Sequence, residues 1–270
     1  MTGWKWQRGK TLTYLTIPHW SEFGVRVAFA VRTGGVSEDP YSSLNLALHV
    51  GDDSQAVLKN RKIFLQELGY QSKDCVTAEQ VHGTRVLRVT AADRGRGMEN
   101  LRNALPECDG MVTTEEIGLL CFYADCVPLF FFEPRTGHLG LAHAGWQGTV
   151  HKIAKKMLAV ISSAGGRPED CLAAIGPCIG SCCYEVGENV AAAFRENFNN
   201  LKLLTPKGEG KYYLDLVQAN AMLLLEEGLH PENILVAGLC TACRPDSFYS
   251  YRRDGITGRM AAFIGKSPRS

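Results

Sequence analysis

The amino-acid sequence predicts an α+β fold in which β-sheets pack against each other and helices lie outside them. Short runs of β-branched, aromatic and alternating apolar residues follow one another, and several are separated by only a few turn residues, as in hairpins. Segments with helical periodicity are mixed with these runs. No low-complexity linker, internal repeat or long charge run interrupts the 270 residues, so we predict one domain over residues 1–270.

The first half of the chain contains mainly predicted strands. We expect them over residues 25–31, 45–50, 86–89, 110–113, 119–124 and 129–133. One helix is expected over residues 55–68. Asp53 and Ser54 are favourable capping residues before this helix, and Gly69 is a stop signal after it.

The second half alternates strands and helices. We expect strands over residues 139–143, 172–175, 234–238, 248–251 and 259–264, and helices over residues 149–164 and 187–198. A further run over residues 211–216 leads into a helix that ends near residue 227. The helix over 149–164 places apolar residues such as Ile153 and Met157 on one face. Gly145, before that helix, allows a sharp turn after the preceding strand.

The composition is that of an ordinary globular protein, with 45% hydrophobic and 21% charged residues. The formal net charge of +1 gives no general attraction to nucleic acid or to membranes, so we expect neither as a partner. No apolar stretch is long enough to cross a bilayer, and no secretion signal precedes Pro18. We expect a cytoplasmic protein whose partner is a small-molecule substrate.

The chain contains ten cysteines, which is many for its size. Because no export signal is seen, we expect reduced thiols and no disulfides. Cys178, Cys182 and Cys183 lie close together in the sequence, and Cys240 and Cys243 form a CxxC motif. These residues could bind a structural zinc or form a redox pair, but structural zinc sites usually pair two short-spaced ligand hooks, and adjacent cysteines depart from that pattern. We favour reduced thiols that line a pocket or the core.

Three residues carry the strongest functional signal. His82, Cys126 and His143 each stand where a strand-like run gives way to turn residues. Two imidazoles and one thiolate form a soft ligand set suited to zinc or copper, and three protein ligands leave a fourth position open, as in catalytic zinc sites. The same residues could act without metal, with Cys126 as nucleophile and His143 as its base. Both interpretations predict an enzyme.

Asp125 directly precedes Cys126 at the end of an apolar run, where packing does not explain a carboxylate. Residues that bind a metal are usually held by carboxylates or carbonyl groups outside the coordination sphere. We therefore predict that Asp125 belongs to the catalytic group and orients a ligand or a substrate atom. The alternative is that it caps the strand end by bonding nearby backbone amides.

Nine motifs follow in order and without large gaps between about residues 24 and 264. They are Arg32-Thr-Gly-Gly-Val-Ser37, Asn45-Leu-Ala-Leu-His-Val-Gly-Asp-Asp53, Gln80-Val-His82, Cys108-Asp-Gly110, Ala124-Asp-Cys-Val-Pro128, His143-Ala-Gly-Trp146, Ile175-Gly-Pro-Cys-Ile-Gly180, Cys182-Cys-Tyr-Glu-Val186 and Ser250-Tyr-Arg-Arg-Asp-Gly255. This ordered set resembles the laccase-domain family, also called multicopper polyphenol oxidase-like or purine nucleoside phosphorylase-like proteins.

The resemblance implies a four-layer α/β/β/α domain related to cysteine-hydrolase-like folds, with a zinc site made of His82, Cys126 and His143. It implies phosphorolysis of adenosine, inosine and methylthioadenosine, and deamination of adenosine. A bacterial branch is linked to removal of a wrongly added amino acid from peptidoglycan precursors, which would suit a Cys126 nucleophile. Copper-dependent oxidation of phenols ranks last, because seven scattered histidines cannot supply the ligands of several coppers.

Phosphorolysis also requires a site for phosphate. Arg32, Arg252 and Arg253 are candidates because a guanidinium group binds phosphate through two parallel hydrogen bonds, although exposed arginines often form only surface ion pairs. Asn45 could bind a ribose hydroxyl or the base, or fix its own loop. Gln147 stands where the family usually has arginine or lysine, which favours deamination over phosphorolysis.

Overall fold

The computed structural model describes residues 3–199 and 201–267. Its strands are β1 (Lys5–Arg8), β2 (Thr13–Thr16), β3 (Val25–Ala30), β4 (Cys75–Thr77), β5 (Val86–Arg88), β6 (Gly110–Thr113), β7 (Gly118–Tyr123), β8 (Val127–Glu133), β9 (His138–Ala144), β10 (Leu172–Ile175), β11 (Glu185–Gly187), β12 (Leu204–Gly208), β13 (Lys211–Leu214), β14 (Ile234–Val236) and β15 (Met260–Lys266). Its α-helices are α1 (Pro18–Ser21), α2 (Ser54–Glu67), α3 (Trp146–Val150), α4 (Ile153–Ser163), α5 (Glu188–Asn197), α6 (Leu216–Glu226) and α7 (Tyr251–Asp254). None of the helices in this part of the chain is long and apolar enough to span a bilayer.

Two six-stranded mixed sheets form the centre of the fold. The first has the strand order β1-β2-β3-β15-β7-β4, and the second has the order β14-β10-β8-β9-β6-β5. The pairs β4–β7, β5–β6 and β10–β14 are parallel, and the other neighbours in these sheets are antiparallel. The predicted α+β class is therefore confirmed.

The second sheet is buried on both faces. On β8, Phe130 belongs to the core shared with the first sheet, together with Phe29 and Phe263. Its neighbour Phe131 belongs to the core formed with helices α4 and α6. This double burial explains why β8 reads as an almost continuous apolar run. Helix α2 adds Phe64 to the core of the first sheet, and the result is the expected α/β/β/α layering.

Some elements were not predicted from the sequence. Strands β1 and β2 form a hairpin that extends the first sheet, and β11, β13 and β12 form a small third sheet. Every residue of β1 is exposed, as is most of β12. Strands without a buried face lack the apolar alternation by which strands are recognised in a sequence.

The strand predicted over residues 45–50 is wrong, because this segment is a loop. Asn45 is fully buried, and its side chain fixes the loop. Its Nδ2 donates to Oδ2 of Asp52 (2.8 Å), and its Oδ1 accepts from the backbone amides of Ala47 (3.1 Å) and Arg259 (2.9 Å). A role of Asn45 in substrate binding stays a prediction, and these bonds agree with the alternative that its amide fixes its own loop.

Two further predictions need correction. Residues 248–251 are not a strand, because Ser250 caps the short helix α7 through a bond from the backbone amide of Arg253 to its Oγ (3.2 Å). The single helix predicted over residues 149–164 is two helices, α3 and α4. They are separated at Lys152, whose φ of 62° lies in the left-handed region and ends any continuous right-handed helix.

Arg61 is a fully buried cation on α2 that ties two loops to this helix. Its Nε donates to the carbonyl of Leu46 (2.7 Å), and its Nη1 donates to the carbonyls of Gly97 (2.9 Å) and Met98 (2.6 Å). The guanidinium also lies 4.6 Å from the ring centroid of Phe122. Carbonyl oxygens and an aromatic face thus replace the water that a buried arginine would lose.

We expect Arg61→Met to lower the free energy of unfolding by about 3 kcal/mol or more, because each buried carbonyl left without its donor costs roughly 1–3 kcal/mol. Urea denaturation measures this change. Lys62→Met is the matched control, because Lys62 is the next residue of the same helix and is exposed. An equal unfolding midpoint for the two variants would contradict a supporting role for Arg61.

Candidate metal centre

The three predicted ligands come from three separate elements. His82 lies in the loop between β4 and β5, Cys126 lies in the turn between β7 and β8, and His143 lies on β9. Because Pro128 pairs with His143 across β8 and β9, the turn that carries Cys126 is brought beside that imidazole. The ligand atoms of the three residues lie within 4.8 Å of one another, and the two imidazole centroids are 4.8 Å apart.

Asp109 holds both histidines, although the sequence analysis did not select it. Its fully buried carboxylate accepts hydrogen bonds from the backbone amides of Val81 (3.2 Å), His82 (3.1 Å) and Gly83 (2.7 Å). These bonds support His82 in an uncommon left-handed backbone conformation with a φ of 60°. The same carboxylate lies 2.8 Å from Nδ1 of His143, which leaves Nε2 as the ring nitrogen available to a metal.

The space and the donor atoms of this cluster fit a zinc ion. A Cβ atom at Gly145 would lie 3.0 Å from Cδ2 of His82 and 3.2 Å from Sγ of Cys126, so a larger residue would push the ligands apart. Two imidazoles and a thiolate are typical zinc ligands, and three of them leave one position open. The same soft donors also suit copper.

The charges in the cluster favour a thiolate beside a protonated imidazole when no metal is bound, so a metal that binds must displace the proton of His143. Desolvation raises the pKa of the Cys126 thiol, but the charges of His143 and His82 and their hydrogen bonds outweigh it and bring the pKa to about 6. Desolvation lowers the pKa of His143, yet Cys126 and Asp109 raise it to about 9. At pH 7 the sulfur is therefore a thiolate, which is the form that binds metals and attacks carbonyl carbons.

A pocket with a volume of about 560 Å³ contains the cluster. This is a usual size for a small-molecule site. Its walls carry four aromatic rings and two guanidinium groups, those of Phe122, Trp146, Tyr184, Tyr251, Arg252 and Arg259. Flat apolar surfaces beside cations suit a ligand that has a planar ring and a negative charge.

Arg252 lines this pocket, whereas the other two arginines predicted to bind substrate do not. The guanidinium of Arg252 lies 5.0 Å from the ring centroid of Tyr184. Arg32 and Arg253 instead donate hydrogen bonds to backbone carbonyls of neighbouring loops. Their role in substrate binding stays a prediction, and in the structure their donors hold neighbouring loops together.

Asp125 lines the pocket, but its carboxylate binds other groups. It accepts hydrogen bonds from Oγ1 of Thr241 (2.6 Å), Oγ of Ser250 (3.1 Å) and the backbone amide of Arg252 (2.7 Å). That Asp125 orients a ligand or a substrate group stays a prediction, and the carboxylate that contacts His143 is that of Asp109. Asp125 fastens two loops, including the one with Arg252, at the edge of the pocket.

Two pocket residues besides Asp109 were missed. Arg259 directly precedes β15, and His49 lies within the loop that had been predicted as a strand. Desolvation and the charges of Arg259 and Arg61 lower the pKa of His49 to about 4, so this imidazole is neutral at pH 7. The sequence signal for both was weak, because each lies inside a predicted strand and neither has the spacing of a ligand pair.

A larger cavity of about 1050 Å³ lies elsewhere, along helix α2. Its lining includes Lys59, Lys62 and Lys73 but neither histidine nor cysteine. Of these two cavities, only the smaller one contains histidine and cysteine side chains, and we therefore take it as the candidate site.

The chain is similar to known proteins over most of its length. A family model described as multi-copper polyphenol oxidoreductase laccase matches residues 26–267. Purine nucleoside phosphorylase YlmD of Bacillus subtilis is 40% identical over 94% of this chain and 95% of its own length. Adenosine deaminase RL5, from an unknown prokaryotic organism, is 35% identical over 85% of this chain and 89% of its own length.

The fold also matches solved structures. The crystal structure of YlmD from Geobacillus stearothermophilus superposes with a TM-score of 0.93 at 38% sequence identity, and the match covers 99% of each chain. Similarity at this level extends over both sheets and over the loops that carry the candidate site.

Proposed function

Since the chain belongs to the family described as multi-copper polyphenol oxidoreductase laccase, we propose that it is a zinc-dependent enzyme that acts on purine nucleosides. Its reactions are the phosphorolysis of adenosine, inosine and methylthioadenosine and the deamination of adenosine. The observation that carries this proposal is the cluster of His82, Cys126 and His143 in a pocket lined by aromatic rings and arginines. We also propose a cytoplasmic location, because the structure leaves all its cysteines as free thiols.

A zinc ion bound by the cluster would supply Lewis acidity and lower the pKa of a water at its fourth position. In deamination, water adds to C6 of adenosine and ammonia leaves. His49 lines the same pocket, and its low pKa leaves its imidazole neutral at pH 7. The aromatic walls, among them Phe122 and Trp146, provide apolar surfaces for the purine ring.

In phosphorolysis, a phosphate oxygen attacks C1′ of the ribose, the bond from C1′ to N9 breaks, and the purine leaves with its electron pair and takes up a proton. Arg252 and Arg259 are the pocket arginines that can bind the phosphate. Gln147 is exposed and is not among the residues that line the pocket, although its neighbour Trp146 is. The preference for deamination that Gln147 suggested stays a prediction.

Product analysis tests the proposed function. Zinc-loaded protein is incubated with adenosine, with and without inorganic phosphate, and the purine products are separated. Inosine in both reactions shows deamination, and adenine that forms only with phosphate shows phosphorolysis. The Cys126→Ser variant prepared in parallel controls for contaminating enzymes. The absence of both products in the wild-type reactions would refute the proposal.

A variant of Asp125 tests how the pocket edge contributes. We expect Asp125→Asn to raise the KM for adenosine roughly tenfold with little change in kcat, since hydrogen bonds to a charged group contribute about 1.5–3 kcal/mol and here they hold the loop of Arg252. Zinc at the cluster should be retained, because Asp125 binds other groups. A loss of this zinc, or a fall in kcat at constant KM, would show that Asp125 acts on the metal or on the reaction.

A second candidate function is a cysteine-dependent amidase that removes a wrongly added amino acid from peptidoglycan precursors. The observation in its favour is the order Cys126, His143, Asp109, in which a thiolate, an imidazole and a carboxylate are in contact. A sulfur bound to zinc is a poor free nucleophile, so the two candidates exclude each other at one site. Cleavage of a muramyl precursor by protein stripped of metal would favour the amidase.

Copper-dependent oxidation of phenols is the weakest candidate. Within residues 3–199 and 201–267, two groups of side chains have metal-site geometry, and only one of them contains histidine. Oxidases with several coppers require many histidine ligands close together. The family description therefore fits the fold of this chain better than it fits the donor atoms of its pocket.

A further inference from the structure

Four cysteines form a second cluster, separate from the candidate site. Cys182 and Cys183 lie in the turn after residue 180, and Cys240 and Cys243 lie about 60 residues later in the CxxC motif. Their four sulfur atoms lie within 4.8 Å of one another. The fold thus brings together two short segments, each of which supplies two thiols.

The distances in this cluster match a site for a single metal ion. Sγ of Cys243 lies 3.5 Å from Sγ of Cys182 and 3.4 Å from Sγ of Cys183. In a tetrahedral site with zinc–sulfur bonds of about 2.3 Å, the sulfur atoms are about 3.8 Å apart. The sulfur of Cys243 therefore lies from the sulfurs of Cys182 and Cys183 at about the distance found between two ligands of one metal ion, and it forms no disulfide with either.

The backbone around the cluster is arranged for thiolates. The amide of Gly180 donates a hydrogen bond to Sγ of Cys240 (3.2 Å). A Cβ atom at Gly180 would lie 3.2 Å from Sγ of Cys182 and 3.3 Å from Cβ of Cys240, so a side chain there would crowd the sulfur atoms. A parallel β-bridge, formed by backbone hydrogen bonds and not by the thiols, joins Cys178 to Cys240 and fixes the two segments against each other.

Positive charges surround the same cluster. Lys207, Arg252 and Arg253 line the shallow cleft that contains Cys182 and Cys183. Nη1 of Arg253 also donates to the carbonyl oxygens of Thr241 and Ala242, the two residues between the paired cysteines of the CxxC motif. Glu185 lines the same cleft and pairs with Lys207, and Arg253 pairs with Asp254, so these cations offset only part of the double negative charge that four thiolates keep after they bind one divalent metal.

We propose that Cys182, Cys183, Cys240 and Cys243 bind one structural zinc ion. Four thiolates close the coordination sphere and leave no position for substrate, which distinguishes this site from the cluster of His82 and His143. Without a cation, four thiolates this close together would repel one another, so the thiols keep their protons. They lose these protons when the metal binds. The proposal takes up the structural zinc site that the sequence analysis gave as an alternative for these cysteines.

The site has a consequence for the pocket. Thr241, enclosed between two of the zinc ligands, donates to the carboxylate of Asp125 (2.6 Å), and the amide of Ile179 donates to the carbonyl of Asp125 (2.9 Å). Asp125 is the neighbour of Cys126. The bound zinc therefore fixes the loops that form one wall of the candidate site, while it takes no part in the reaction.

Zinc content and X-ray absorption test this proposal, with readouts that do not depend on activity. The key variant is His82→Ala/Cys126→Ser, which removes two ligands of the first cluster and leaves the four cysteines unchanged. After dialysis of protein without an affinity tag, this variant should retain about one zinc per chain, with four sulfur atoms at about 2.3 Å in the absorption spectrum. Cys243→Ser should bind one zinc fewer than the wild-type protein.

Cys178→Ala is the matched control, because this buried thiol lies in the same segment but outside the cluster, and its zinc content should equal that of the wild type. Three outcomes would overturn the proposal. They are a zinc-free double variant, iron in place of zinc, and a disulfide between Cys243 and either Cys182 or Cys183 in freshly isolated protein. If Cys243→Ser does not fold, the double variant still decides. Failure of the nucleoside assay leaves this test unaffected.

Discussion

Replacing Cys126 with serine is expected to remove one zinc per chain and to lower kcat/KM for adenosine by well over 100-fold. Loss of a group that only orients a ligand costs about 10–100-fold in metal affinity or activity, so loss of a ligand costs more. The variant hydroxyl is not ionised at neutral pH and cannot replace a thiolate whose pKa is near 6. Zinc analysis and steady-state kinetics on the same preparation measure both effects.

Cys171→Ala is the control for this prediction. Cys171 is fully buried at the start of β10, remote from the pocket residues, and its removal should leave the zinc content and activity unchanged. If Cys126→Ser keeps its full zinc content but loses its activity on adenosine, the sulfur acts in the reaction and is not needed as a zinc ligand. Retention of both zinc and activity would refute any role for Cys126.

Asp109→Asn is expected to reduce zinc affinity or activity by about 10–100-fold, the usual cost of losing a carboxylate that orients a metal-binding histidine. The variant side chain has one acceptor oxygen, but the carboxylate serves three backbone amides and Nδ1 of His143. Its new amide group would face other N–H donors, which adds about 1–3 kcal/mol of destabilisation for each unsatisfied buried group. Competition with a chromophoric chelator measures the zinc affinity.

Asp125→Asn is the natural comparison, since both substitutions remove one buried carboxylate beside the same pocket. We expect zinc affinity at the cluster to fall in Asp109→Asn and to stay constant in Asp125→Asn. Equal losses in both variants would mean that the effect comes from general destabilisation of the pocket. A circular dichroism spectrum and an unfolding midpoint for each variant separate these two explanations.

Much of the fold could be predicted because its signals are local. Helix α2 begins after Asp53, whose side chain accepts a hydrogen bond from the amide of Ala56, and the chain turns at Gly69 with a φ of 77°. Strands β7 to β9 were visible because both faces of these strands are buried, which requires apolar residues at nearly every position. The exposed strand β1 lacks that pattern and was not predicted. The loop at Asn45 has a similar pattern and was predicted as a strand.

The sequence by itself determined which groups could bind a metal, because His82, Cys126 and His143 are recognisable as soft donors at the ends of strand-like runs. Only the tertiary structure decided which carboxylate supports them. Asp125 is adjacent to Cys126 in the sequence, but its left-handed backbone (φ 93°) and its bonds to Thr241 and Ser250 commit its side chain to distant loops. Asp109 contacts His143 because β6 and β9 are paired.

The arginines and the second cysteine cluster follow the same rule. Arg32 donates to the carbonyl of Pro245, more than 200 residues away, and the two cysteine pairs meet across about 60 residues. A long side chain such as that of Arg32 can reach several partners, and a cysteine in the sequence does not indicate which residues lie beside it. Neither the contact of Arg32 nor that of the cysteine pairs can therefore be predicted from the adjacent residues. The local sequence specifies the chemical groups, and the strand pairing of the whole domain specifies which of them come into contact.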